Sequence, residues 1–179
     1  MNTNPVEEGA QTEAAPLDGM VRPVVVVVED DANMRELLAT VLSSLDADIV
    51  TFDGSQAALE YLENQPVSVV VTDLRMPRVD GINVLRFAKS RNQDTQVILV
   101  TGHATVESAV EALKSGAYDY LTKPFENVEL ICTVERAIDH WRLSRENRRL
   151  RAENRIYTEG ETIIGRSASM DEVRRLIDA

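Results

Sequence analysis

The chain has 179 residues, 44% of them hydrophobic, enough for one good core with segments left over at its ends. A net charge of -11 argues against nucleic-acid binding by the chain as a whole, because phosphate contacts need clustered Lys and Arg. The one cysteine, Cys132, cannot close an internal disulfide, no signal peptide opens the chain, and the Val24 to Val28 run is too short for a bilayer, so a cytoplasmic protein without membrane contact is expected.

Residues 1–22 are rich in Glu, Thr, Ala and Pro, lack periodicity, and read as a disordered extension. Val24 to Val28 is a β-branched run suited to a strand buried on both faces, and it ends in Glu29, Asp30 and Asp31. From Asn33, the residues Met34, Leu37, Leu38, Val41, Leu42 and Leu45 recur three and four apart and mark a helix. Ile49 to Phe52 is a short second strand. Asp53-Gly54-Ser55 reads as a turn with an N-cap, and Ala58, Leu59 and Leu62 give the next helix a buried face before Pro66 stops it.

Val67 to Asp73 is the third strand. It delivers the Asp73 carboxylate to its C-terminal tip just before a Met76-Pro77 break. Asp80-Gly81 then turns the chain into a helix carrying Ile82, Leu85, Phe87 and Ala88. Gln96 to Val100 is the fourth strand, ending in Thr101-Gly102-His103. Val106, Ala109, Val110 and Leu113 mark a fourth helix, closed by Ser115-Gly116. Tyr118 to Leu121 is the fifth strand, with Thr122-Lys123-Pro124-Phe125 after it.

Strands alternating with helices require crossover connections, hence an α/β fold with a parallel sheet. In a doubly wound sheet of order 2-1-3-4-5, strands one and three flank the switch point. Asp30, Asp73, Thr101 and Lys123, each following a strand, would then meet in one crevice. Glu29, Asp30 and Asp73 would repel one another unless a cation lay between them, and an all-oxygen set with few carboxylates suits Mg2+. A carboxylate beside such an ion, with Lys123 as a point charge and the Thr101 hydroxyl as donor, is equipped to accept a phosphoryl group.

A helical pattern runs unbroken from Val128 to about Arg155. Ile131, Val134, Ile138 and Trp141 would pack on the sheet, after which Leu143, Asn147, Leu150 and Asn154 form a heptad seam that favours a parallel homodimer. Its flanking arginines read as the solvated face of a coiled coil. Cys132 reads as a packed thiol, His103 and His140 as solvated, and Tyr118 and Tyr120 as aromatics on one strand face.

VVVVVEDD, VVVTDLRMP, ILVTGHA and YDYLTKPF together resemble the successive signatures of a two-component response-regulator receiver domain over about residues 23–141. The resemblance implies a flavodoxin-like fold with an extended C-terminal helix and no enzymatic activity beyond the phosphorylation and autodephosphorylation of Asp73. It implies Asp73 as phosphoacceptor, with Glu29, Asp30, Asp73 and the Arg75 carbonyl about magnesium. Thr101 corresponds to the switch hydroxyl, Lys123 to the phosphate-binding lysine, Tyr120 to the aromatic that changes rotamer, and the Lys123-Pro124 bond would be cis. Arg78 and Val79 stand where the family usually has Gly-Met, and Glu29 replaces the commoner Asp.

TGHATVESAVEALKSGAYDYLTKPF is also similar to regulators of the NtrC type, which activate sigma-54 RNA polymerase. ENRRLRAEN resembles their coiled-coil linker, giving residues 142–158, and IIGRSASMDEVRRLI the opening of an AAA+ domain over 159–179, without its phosphate-binding loop. The partners implied are a sensor histidine kinase, a second copy through the linker and the helix 4, strand 5 and helix 5 face, and, for a longer protein, the AAA+ domain and sigma-54 polymerase. A haloacid-dehalogenase-like phosphohydrolase would want a second acid at the Arg75 position, and a dimerisation module without signalling would not need the acceptor-site residues.

Overall fold

The computed structural model describes residues 22–103 and 105–159, with side chains through residue 152. Its order is β1 (Val24–Val28), α1 (Ala32–Leu42), β2 (Asp48–Phe52), α2 (Ser55–Asn64), β3 (Val69–Asp73), α3 (Gly81–Arg91), β4 (Gln96–Thr101), α4 (Val106–Lys114), β5 (Asp119–Thr122) and α5 (Asn127–Glu159). All strand pairs are parallel, as the alternation of elements predicts, and the sheet order is β2-β1-β3-β4-β5, the doubly wound order expected above.

The valine runs follow from burial on both faces. Val25, Val27, Val69, Val71, Ile98 and Val100 join a core shared with α1 and α5. Val26, Val28, Val70, Val97 and Leu99 join the opposite core with α2 and α3. Successive strand side chains point to opposite faces, so two-sided burial leaves no polar alternation. Each such valine contributes about 1.5 kcal/mol or more by leaving water.

Helix starts are fixed by side-chain caps. Asp31 accepts from the Met34 amide at 2.8 Å, Asp80 from the Asn83 amide at 2.9 Å, and Thr105 with Ser108 forms a reciprocal capping box on α4. At α2, however, Gly54 is the N-cap without a side-chain bond, and Ser55 is already helical and buried.

The fourth helix forms where expected, with its Val106, Val110 and Leu113 face exposed and Ala112 buried in the core shared with α2 and α3. Other expectations are corrected. Tyr118 precedes β5 and packs with the α1/α5 core, whereas Tyr120 packs in the other core, so the two do not share a face. Cys132 is exposed; Leu130, Val134 and Ala137 are the buried neighbours on that helix.

The expected segments over 1–22 and 159–179 lie outside the described residues except at Arg22 and Glu159. Arg22, assigned to the disordered extension, pairs with Asp46 and Asp48 at 3.3 and 3.0 Å. The linker is continuous with α5 in one 33-residue helix. Leu143 and Leu150 are exposed on it, while the Asn154 side chain lies outside the described ones. No helix among the described residues is long and apolar enough to cross a membrane.

Candidate functional site

The 2-1-3 strand order puts β1 beside β3 with their connections leaving to opposite faces, which opens a crevice at the C-terminal sheet edge. Glu29 and Asp30 follow β1, Asp73 ends β3, Thr101 ends β4, and Lys123 lies one residue past β5. Register brings them together: Asp73 pairs with Val100, Thr101 with Thr122, and the Lys123 amide donates to the Thr101 carbonyl at 2.7 Å.

Lys123 Nζ donates to Asp73 Oδ2 and to Glu29 Oε2, both at 2.7 Å. Glu29 is 1% exposed and Asp30 is exposed; one carboxylate oxygen from each of Glu29, Asp30 and Asp73 lies within 4.8 Å of the others. Burial pushes the Glu29 carboxyl above its ordinary value, Lys123 pulling against this and Asp73 adding to it. Burial alone would lower the Lys123 ammonium, but its bonds to Asp73 and Glu29 outweigh that and raise it. Among the described residues this is an acidic cluster able to hold a metal, and an all-oxygen donor set fits a hard divalent cation.

The surrounding chain holds these groups in place. Asp73 Oδ1 accepts from the Arg75 amide at 2.8 Å, and the Glu29 carbonyl accepts from Arg35 Nη1 at 2.8 Å. The buried Thr101 hydroxyl accepts from the His103 amide at 3.2 Å. The Lys123-Pro124 bond is cis, as the resemblance implies. Tyr120 stands apart from the acids, with its hydroxyl 2.9 Å from Ser108 Oγ in α4.

Sequence reasoning missed Arg35, Ser108 and the steric role of Gly81. The Thr105-x-x-Ser108 spacing was a usable cap signal; Arg35 carried none, because its bond goes to a main-chain carbonyl. Arg78 adopts φ +73°, a left-handed conformation that suits the glycine usual at that position. Arg78→Gly is therefore expected to stabilise the protein by about 0.5–1 kcal/mol after the added freedom of the unfolded chain is subtracted. Urea denaturation showing a loss instead would contradict backbone strain there.

A parallel 2-1-3-4-5 sheet with this acid, hydroxyl and lysine set at one edge defines a class of signalling domain, and residues 25–135 match the family described as "Response regulator receiver domain". The chain belongs to that family.

Among its relatives, the DNA-binding transcriptional regulator NtrC of Escherichia coli K12 is 36% identical over 160 residues, covering 88% of this chain and 33% of that protein. The C4-dicarboxylate transport transcriptional regulatory protein DctD of Pseudomonas aeruginosa is 38% identical over 166 residues, covering 91% of this chain and 35% of that protein. The chain thus spans about a third of the length of these curated relatives. The beryllofluoride-activated NtrC4 receiver domain dimer is 32% identical with a TM-score of 0.63, covering 66% of this chain and 98% of that one. NtrX from Brucella abortus, solved with ADP, is 29% identical with a TM-score of 0.67, covering 88% of this chain and 34% of that one.

Proposed function

We propose that Asp73 is the phosphoacceptor of a two-component switch, receiving its phosphoryl group from the phosphohistidine of a sensor kinase. The observation that carries this reading is the Lys123 ammonium held 2.7 Å from Asp73 Oδ2, next to a metal-competent acid triad. An Asp73 carboxylate oxygen attacks phosphorus, the P–N bond breaks, and the imidazole leaves with the electron pair. Phosphoryl transfer needs chiefly positioning and charge neutralisation.

Lys123 supplies a fixed positive charge for the phosphoryl oxygens, and the Thr101 hydroxyl a donor at the adjoining strand end. Magnesium, held by Glu29, Asp30, Asp73 and the Arg75 carbonyl, supplies further charge neutralisation when bound. Drawing Thr101 towards the phosphoryl group makes room for Tyr120, which gives up its bond to Ser108 and so alters the exposed α4 face. A differential of about 3–5 kcal/mol suffices to make a minor state dominant.

The domain plan follows the NtrC-type resemblance. Residues 23–141 form the receiver, 142–158 a coiled-coil linker with its seam at Leu143, Asn147, Leu150 and Asn154, and 159–179 the start of an AAA+ domain. Output goes to a homodimer and, in a longer protein, to sigma-54-dependent transcription. The relatives' printed roles as transcriptional regulators support this reading.

The test is intact mass after incubation with magnesium and a small acyl-phosphate donor. A single added phosphate is expected on the parent and none on Asp73→Asn. A parent without an adduct, or an equal adduct on the variant, would overturn the assignment.

A further inference from the structure

We propose that the hollow between the C-terminal half of α5 and the α3–β4 loop seats the α5 helix of a second copy running parallel, with Glu146 of each helix paired to the partner's Arg151. This rests on the dimer-seam reading above and adds the charged contact that sets the partner's direction. With Leu143 and Leu150 at one core position of the heptad and Asn147 at the other, Glu146 precedes the seam and Arg151 follows it. In a parallel pair, these two flanking positions face each other across the seam five residues apart. Antiparallel packing would instead set positions that precede the seam against one another, where Glu146 and Glu153 are both acidic, and would leave Arg151 with no acid across the seam.

The structure leaves this surface open. Leu143 is 71% exposed and Leu150 48%, the large apolar side chains uncovered on α5's second half among the described residues. Leu143, Asn147 and Arg151 line a hollow of about 490 Å³ whose far wall is Asp94. Arg148, next to Asn147 but off the seam, pairs with Asp94 at 2.8 Å, and Asp94 is only 16% exposed, so the helix is pinned to its own receiver by a side the partner does not need.

The arginines sort in the same way. Arg142 pairs with Asp139, Arg145 lies over the Trp141 ring, Arg148 holds Asp94, and Arg149 pairs with Glu146. Of these five arginines, Arg151 alone has no partner among the described residues. The Glu146 to Arg149 contact is an exposed pair through Oε1 only, which leaves the second carboxylate oxygen to the neighbouring helix.

Charge reversal tests this on the full 179-residue chain. Sedimentation equilibrium would compare the parent, Glu146→Arg, Arg151→Glu, the double reversal, and Leu150→Ala, with circular dichroism confirming equal helix content. Each single reversal is expected to weaken the dimer about tenfold or more at low salt, the double to return to within about threefold of the parent, and the differences to shrink in about 1 M salt. Rescue cannot arise within one helix, where residues five apart do not face each other.

Neutral single reversals, or a double reversal no better than the singles, overturn the pairing while the seam stands, provided Leu150→Ala still breaks the dimer. A monomeric parent, or a dimer indifferent to Leu150→Ala, removes the seam and this contact together.

Discussion

Gly81→Ala is expected to destabilise the protein by about 2–4 kcal/mol, near the upper end of overpacking costs. A Cβ at this position would stand 2.3 Å from the Asp73 carbonyl oxygen, 2.9 Å from Leu99 Cδ2 and 3.0 Å from Leu74 Cα. Two of the three obstacles are backbone, so no rotamer change relieves them. The Gly81 amide also donates to the Leu74 carbonyl at 2.9 Å, which ties the start of α3 to the end of β3. The glycine is needed for space and not for a left-handed backbone.

Two measurements check this. Urea denaturation reads the stability loss, and Gly54→Ala serves as a control for steric room, since nothing lies within 4 Å of a Cβ there and only an N-cap cost of about 1 kcal/mol or less is expected. Phosphorylation by an acyl phosphate reads the site: shifting the Asp73 backbone by about 1 Å against Lys123 should slow transfer by around a hundredfold. A Gly81→Ala chain as stable and as readily phosphorylated as the control would show that α3 slides away at no cost.

The sheet was legible because two-sided burial writes itself into Val24 to Val28 and Val69 to Val71 as unbroken β-branched runs, and because parallel strands oblige crossovers. The residues of the crevice were legible for a related reason. Asp30, Asp73, Thr101 and Lys123 each stand at the end of a strand or within two residues of it, and the switch-point rule carries strand ends to one place.

What escaped was set by packing partners that spacing does not encode. The α4 apolar stripe has helical periodicity whether it meets the sheet or solvent, and only the position of Ala112 against the sheet decides which. Tyr118 and Tyr120 are two apart, which implies one face only inside a strand, and the strand begins at Asp119. Ser108 reaching Tyr120, Arg35 reaching the Glu29 carbonyl, and Arg148 reaching Asp94 across fifty-odd residues are contacts of the folded chain that no hydrophobic periodicity encodes.

Lys123→Met is expected to cost about 2–3 kcal/mol in metal-free buffer near neutral pH, because it strips the counter-charge from two carboxylates and leaves the apolar stem. Losing one partner of a buried ion pair costs about 3–5 kcal/mol. Here the Lys123 side chain is 17% exposed and that of Asp73 12%, which screens part of the loss. Glu29 carries most of it: its side chain is 2% exposed, and its carboxyl is already pushed above the ordinary 4.5 by burial.

The pH dependence follows from that direction. A carboxyl whose folded pKa is raised favours the folded state while neutral, below its unfolded value of 4.5. That contribution is lost as pH rises through the folded value. Without Lys123 the folded value climbs further, so the deficit of the variant against the parent should be small near pH 4.5 and grow towards neutrality. Adding Glu29→Gln to Lys123→Met should recover most of the loss at pH 7, a non-additivity that marks direct coupling. Millimolar magnesium should narrow the deficit as well, since a cation held by Glu29, Asp30 and Asp73 replaces the missing charge. A deficit equal at pH 5 and pH 8, unchanged by Glu29→Gln and by magnesium, would mean that Lys123 stabilises the fold by packing and not as the charge that lets these acids share one crevice.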